Sequence, residues 1–499
     1  MTSAAASFVS ATVTERPLLH FTPPRAWMND PNGLVYFDGE YHLFYQYYPD
    51  GLEWGPMHWG HAVSVNLIDW QHLEIALFPD ENGMCFSGSA IVDYNDTSGL
   101  FNGESGLLLF YTTHRVTGEG CDDYEQDQCI AFSRDRGRSW EKYAGNPIIP
   151  VPGFKDFRDP KVVWHQASQH WIMALACGQT IRFYRSENLL DWALCSEFGE
   201  HQGSHTEGPW ECPDLFELPV EDGSGSRWVL IVGVGAGEDS WGSFTQYFIG
   251  DFDGTHFHNE NEPDKVLLMD QSRDFYAAQS WSDAPDNRRI AIAWINNWLY
   301  ANNIPQSGWR GMMTVPREVR LVATAEGVRI GQRFVPELGE QPLSQATMLT
   351  CDALGEGEQL ALTTAQESIK PVHGSISFAM KSGSCVDLCL SQTGQPDLSF
   401  RQTESGLIMS YQRTGQNGVD AFDRFFPCRF DLPITHSRGS VTLEWISDNG
   451  SLELLINDGI YSLTSLQLCQ STAVGHNAAK LIVARGEIEI TGGQSSVFG

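Results

Sequence analysis

Basic residues are scarce, lysine above all: only seven of the 31 bases are lysines, set against 63 acids. The formal charge of −32 repels polyanions, which excludes nucleic acid and anionic membrane surfaces as partners and leaves an uncharged polyol compatible with the field. No run approaches the ~18 apolar residues of a membrane span. The opening MTSAAASFVSATVTERP lacks the basic start and apolar core of a secretory signal. Paired CxxC spacing is absent. The eleven cysteines, an odd number, are scattered, several inside strand-like runs such as WIMALACG around Cys177, as expected of small buried thiols rather than a disulfide framework. A cytoplasmic protein with reduced thiols is the expectation. HExxH, GxSxG and P-loop patterns are also missing. GVGAG at 233–237 has no helix pattern behind it and reads as a flexible strand exit. The two histidines of HWGH at 58–61 have no third ligand nearby and read as packing and hydrogen-bonding residues. Neither a metal nor an organic cofactor is expected.

What remains is glycine, aromatics and short alternating runs, the texture of an all-β protein. Five period-two strands begin at Tyr41, Gly106, His170, Arg227 and Arg288, separated by 65, 64, 57 and 61 residues. Each is the second arm of a hairpin, the first arms being GLVYF, SGSAIVDY, KVVWH, DLFEL and AAQSW. Three are followed by a further segment closed by tryptophan: SVNLIDW, SRDRGRSW and SENLLDW. Five near-equal intervals without helical periodicity predict a five-bladed β-propeller. Beyond QRFVPEL at 332–338 the spacing is lost, and SISFAMK, VTLEWISD, LELLIND and GEIEITGG predict a separate C-terminal β-sandwich. The expected division is a flexible segment at 1–15, the propeller at 16–338, a linker at 339–349 and the sandwich at 350–499. The sandwich is expected to cover the last blades through an apolar seam and to offer a surface for a homodimer.

Residues suited to chemistry stand at one point of the repeat. Asp30 precedes the first inner arm, Phe86 and Ser87 the second, Arg158 and Asp159 the third, Glu211 the fourth, and Phe275 and Tyr276 the fifth. Inner strands of a propeller surround its axis, so these starts converge on one mouth. Taken singly, FRDP is a salt-bridged turn and WECPDLF a proline-broken edge strand. Their register with the repeat is what turns them into a site. WMNDPNG at 27–33 becomes the first blade's share of it, through Trp27, Asn29 and Asp30.

In order along the chain, WMNDPNG, HWGHAVS, FSGSA, FRDPK, WECPDLF and DFYAAQS resemble the motifs of glycoside hydrolase family 32, the β-fructofuranosidases. WINNWLYANNIPQSGWRGMMTVPRE at 294–318 is similar to the exo-acting levanase and exo-inulinase branch. The resemblance implies a propeller followed by a sandwich. It also implies Asp30 as nucleophile, Glu211 as general acid/base and Asp159 as transition-state stabiliser, without cofactor. On that scheme Asn29, Gln46 and Ser87 suit sugar hydroxyls, and Arg158 holds Asp159 by a charge-assisted bond. Trp27, Trp54, Phe86 and Trp298 wall a pocket blind at one end. The loop DGLEWGPMHWGH departs from the family's commoner Asn-x-Trp-Gly form by placing Glu53 before Trp54. The reaction implied is retaining exo-hydrolysis of terminal β-fructofuranosyl units in sucrose, fructo-oligosaccharides and fructans. A fructosyltransferase using the same intermediate, or a fructan-binding protein without turnover, are the alternatives.

Overall fold

The computed structural model describes residues 16–498 apart from 119–122, 152, 238–240, 342–346, 350–352, 364–369, 391–396, 416–418, 438–439 and 469–478. The segment 1–15, the middle of the expected linker, and Cys121, Cys351 and Cys469 lie outside the described residues. The other eight cysteines are free thiols. The protein is almost entirely β, with one four-residue α-helix, Asp420–Asp423, among the described residues.

Up to Phe334 the strands form five antiparallel sheets of four or five strands, taken almost wholly in chain order. Their first strands are Ala26–Phe37, Met84–Asp93, Phe157–His165, Trp210–Pro219 and Tyr276–Ser280. Each packs against the first strand of the sheets before and after it, and the fifth packs against the first. The cores follow the same circle. In the strand Gly106–Val116, Leu107, Leu109 and Tyr111 join the core shared with the first sheet, while Leu108 and Phe110 join that shared with the third. A strand buried on both faces explains why GLLLFY is continuously apolar instead of alternating. Two more cores link the third to the fourth sheet and the fourth to the fifth. A last one, holding Trp27, Met28, Tyr276 and Trp294, joins the fifth sheet to the first. The short strand Trp309–Arg310 adds in parallel to Ala26 and Trp27, so the chain's return from the fifth sheet is clasped onto the first.

The three tryptophan-closed segments are turns between third and fourth strands. In each the indole donates to a carbonyl three residues back: Trp70 to Leu67, Trp140 to Gly137 and Trp192 to Leu189. In each, the residue that offers this carbonyl is at positive φ: Leu67, Gly137 and Leu189.

From Thr347 to Val497 the strands form a seven-stranded and a six-stranded sheet. They share one core, with Ile376, Phe378 and Trp445 from the first and Val386, Phe400 and Met409 from the second. Ile446, Leu455 and Phe498 reach back into the core of the first and fifth sheets. The seam is not simply the apolar one expected, because its centre is ionic. Buried Arg317 donates through Nε to Glu453 at 3.0 Å, and to Ser462 and Thr464 at 2.6 and 2.7 Å. Buried His20 bridges Asp448 at 2.9 Å and Glu453 at 2.7 Å. Arg413 pairs with Asp274, which also accepts from Tyr300 and from the Leu466 N–H. The N-terminal stretch from Arg16 is thus part of the seam, since the Leu18 and Leu19 N–H groups also donate to Asp448.

Candidate active site

A β-bulge interrupts every one of the five first strands near its beginning. The pairing register slips between Met28 and Pro31, between Phe86 and Gly88, opposite Leu175 in the third sheet, between Glu211 and Asp214, and between Tyr276 and Gln279. The unpaired residues are therefore Asn29–Asp30, Ser87, Asp159–Pro160, Cys212–Pro213 and Ala277–Ala278. A bulge re-aims side chains and strengthens local twist. Here it turns polar side chains out of the sheet-to-sheet cores into the ring's opening. Asp159, Cys212 and Ala277 sit at φ of 64°, 48° and 53°, conformations that non-glycine residues hold only when their surroundings fix them.

Asp30 is buried and fully engaged. Ser87 Oγ donates to Oδ2 at 2.6 Å and Asn29 Nδ2 to Oδ1 at 3.0 Å, while the Cys212 thiol lies 3.5 Å from Oδ2. Burial pushes the Asp30 carboxyl above the ordinary range, and the hydrogen bonds from Ser87 and Asn29 oppose that rise. Asp159 accepts the Cys212 N–H at 2.9 Å and lies 3.6 Å from the same thiol. Burial is the main reason its carboxyl is raised to about 7, with Glu211 and Asp30 adding and Arg158 opposing. Cys212 is itself buried between these carboxylates, and both effects hold its thiol well above the usual range, so it remains an S–H donor.

Glu211 stands immediately before that thiol. Arg158 Nη2 donates to its Oε1 at 2.9 Å and Tyr276 Oη to its Oε2. The second guanidinium nitrogen, Nη1, goes to Asp156 at 2.5 Å. The expected grip of Arg158 on Asp159 is thus replaced: Arg158 spans Asp156 and Glu211, and a backbone N–H holds Asp159. Although burial works against its charge, Glu211, Asp159 and Asp156 keep Arg158 well above its ordinary value.

Asn29, Asp30, Asp156, Arg158, Asp159 and Glu211 line a cavity of about 520 Å³ together with Gln46, Trp54, Phe86, Ser87 and Trp298, a size usual for small-ligand sites. Of the residues singled out from sequence, Phe275 and Tyr276 are not on its wall, and neither is Trp27. It is fully buried behind it, donating to Asn29 Oδ1 at 2.7 Å and stacked 6.1 Å from Trp298. Trp54 is 39% exposed at the rim, edge-on to Phe86 at 6.0 Å, and its N–H is tied to Asn302 at 2.9 Å. Glu53 also lies on the wall.

Several lining residues carried too weak a pattern to be noticed: His114, Tyr124, Gln126, Asp156 and Asn302. Asp156 is two residues before Arg158, a spacing that could have marked it as a partner for that guanidinium. GVGAG is not merely a strand exit, because Gly235 and Ala236 line the cavity. A Cβ at Gly233 would stand 3.1 Å from the Glu211 carbonyl and 3.2 Å from the Tyr276 ring, and one at Gly235 would stand 2.9 Å from the Pro209 carbonyl. Glycine there lets two strands close on Glu211. Within HWGH, His61 stacks on Phe44 at 4.0 Å and bonds His42 at 3.0 Å, while His58 bonds the Pro56 carbonyl at 2.9 Å.

Residues 20–332 match the N-terminal domain of glycosyl hydrolases family 32. The chain is 46% identical over 481 residues to a levanase of Bacillus subtilis (strain 168), covering 95% of this chain and 69% of that protein. It is 35% identical over 493 residues to an extracellular exo-inulinase of Aspergillus awamori, covering 91% and 90%. The crystal structure of exo-inulinase from Aspergillus awamori is similar at a TM-score of 0.85 and 31% identity, covering 97% of this chain and 98% of that one. On the matched domain and these relatives, the chain belongs to glycosyl hydrolases family 32 and is a glycoside hydrolase.

Proposed function

We propose that the protein is a retaining exo-β-fructosidase, releasing terminal β-D-fructofuranosyl units from sucrose, fructo-oligosaccharides and fructans. The observation that carries this reading is the gathering of three carboxylates in one cavity, two of them on the Cys212 thiol, in three different hydrogen-bonding environments. Asp30, with donors on both oxygens, is the nucleophile: ionised, it attacks C2 of the fructosyl unit and forms a covalent ester. Glu211 gives its proton to the departing oxygen, then takes one from the water that attacks C2. Asp159, fixed by a backbone N–H, accepts from ring hydroxyls as positive charge develops at the ring. Asn29, Gln46 and Ser87 complete the hydroxyl contacts, and Trp54, Phe86 and Trp298 exclude water. A cavity floored by buried polar groups receives chain ends, which favours exo action.

Five sheets joined in a circle by shared cores support reading residues 16–338 as a five-bladed propeller. The two sheets sharing one core support a β-sandwich from about residue 350. Relatives named levanase and exo-inulinase support fructans as substrates beside sucrose. Early-time NMR of the sugar first released is the test. Two successive inversions at C2 give β-fructose, whereas α-fructose as first product would mean that Asp30 acts as a base. Chiefly lengthened oligosaccharides would make the protein a transferase, and absence of free fructose from every β-fructofuranoside would make it a binding protein.

A further inference from the structure

We propose that Asp156 is a positioning residue for this reaction, sharing the Arg158 guanidinium with Glu211 and thereby setting the upper pH limit of activity. The inference rests on the reading of Glu211 as the acid/base. Among the described residues lining the cavity, Arg158 is the one group carrying a permanent positive charge, and it hydrogen-bonds two carboxylates at once. Nη1 lies 2.5 Å from Asp156 and Nη2 2.9 Å from Glu211. A cation divided between two anions stabilises the ionised form of either one less than it would alone.

Asp156 is built into that place. It precedes the strand Phe157–His165 at φ 56°, a strained backbone pinned by the Gly178 N–H on its carbonyl at 2.8 Å. Tyr124 Oη donates to its carboxylate at 2.8 Å. The tyrosine ring is held in turn by His114 at 4.6 Å, and His114 by Phe86 at 4.3 Å and Gln126 at 3.1 Å. Burial acts to raise the Asp156 carboxyl, but Arg158, Tyr124 and Lys155 outweigh it and keep the group below the usual range. It is therefore anionic across the working range.

The other charged or titratable neighbours do not replace it. His114 is held neutral, its pKa lowered to about 4 by burial first and by Arg158. Cys177, on the side of the Gly178 contact, is a buried thiol raised to about 11. On the Glu211 side, Asp30 and Asp159 add negative charge, while Tyr276 and Cys212 stay protonated donors. Asp156 is the one carboxylate besides Glu211 that the guanidinium hydrogen-bonds among the described residues.

Removing that partner leaves Glu211 the one carboxylate hydrogen-bonded to Arg158, and it then loses its proton more readily. The alkaline limb of the kcat/KM profile on sucrose should move about one pH unit toward acid in Asp156→Asn, a roughly tenfold loss above the limb. An activated aryl β-fructofuranoside, whose leaving group needs no proton, should lose far less. Tyr124→Phe should move the limb a smaller step the other way, because Asp156 with one donor fewer pulls harder on Arg158. This second variant carries the test should Asp156→Asn fail to fold. Equal loss at all pH values and on both substrates, with the limbs unmoved, overturns the proposal and leaves Asp156 a structural residue. A raised KM with an unmoved limb also overturns it, assigning Asp156 to substrate contact. Wild-type sucrose turnover by Glu211→Gln would instead overturn the underlying reading of the acid/base.

Discussion

The protein gathers two groups of four carboxylates, and they are built on opposite principles. At the mouth of the ring, Asp30, Asp156, Asp159 and Glu211 share one cation, Arg158. At the seam, Asp270, Asp274, Asp448 and Glu453 face three basic side chains, Arg317, Arg413 and His20. The seam is near charge balance and nearly every polar atom has a partner. Such a network fixes how two surfaces fit, because any other fit would strand a buried charge. The mouth is left short of positive charge, and burial there pushes Asp30 and Asp159 toward holding protons. That imbalance is what acid–base chemistry and hydroxyl binding use. Clustered carboxylates thus serve orientation in one place and reactivity in the other.

The largest effects should separate the two groups by what they damage. Asp30→Ala and Glu211→Ala are each expected to lower sucrose hydrolysis roughly 10³-fold or more without lowering the melting temperature, since each removes a charge from an over-acidic cavity. Glu211→Ala should keep partial activity on an activated aryl fructoside. A variant of either kind that unfolded several degrees early would show the mouth to be as structural as the seam.

Glu453→Gln attacks the balanced group. It leaves Arg317 and His20, both buried, without their shared carboxylate. Stranding such charges costs about 3–5 kcal/mol, read as a lower midpoint in denaturant, while kcat per folded molecule stays near wild type. Unchanged stability would mean that the seam is held by Ile446, Leu455 and Phe498 alone.

The two groups also differ in how far they could be read from sequence. The mouth was legible because its residues are tied to a repeat: strand starts at near-equal intervals carried Asp30, Ser87, Asp159 and Glu211 to one place. The bulges that aim them were not, because a bulge is a property of pairing between strands and leaves no period in either. Hence Arg158 was assigned the adjacent Asp159 when its partners are Asp156 and Glu211. The seam was read as apolar because strand alternation reports which face is buried, and not what lies across it. His20 and Glu453 are more than 400 residues apart in the chain, and nothing local to either marks the other.

The last and smallest effects concern pH, where Asp159 at the mouth and His20 at the seam shift in the same direction for different reasons. Asp159 is raised to about 7 from an ordinary 3.8, so the folded protein binds its proton more tightly than the unfolded chain does. Its contribution is fully present below about pH 4 and is lost as pH rises through 7. Asp159→Asn has no such loss, so it should be inactive but more stable than wild type above pH 7, by on the order of 2–4 kcal/mol, and no more stable near pH 4. His20 is raised from 6.5 to about 9: burial alone would lower it, but Asp448 and Glu453 overcome that. Its contribution is complete below about pH 6.5 and lost as pH rises through 9, on the order of 2–3 kcal/mol. At the mouth the proton removes an unwanted charge; at the seam it creates a wanted one. Melting curves between pH 4 and 9 for wild type, Asp159→Asn and His20→Gln should therefore diverge in two separate windows. A single shared window would mean that the mouth and the seam titrate as one group, and the distinction between them would fail.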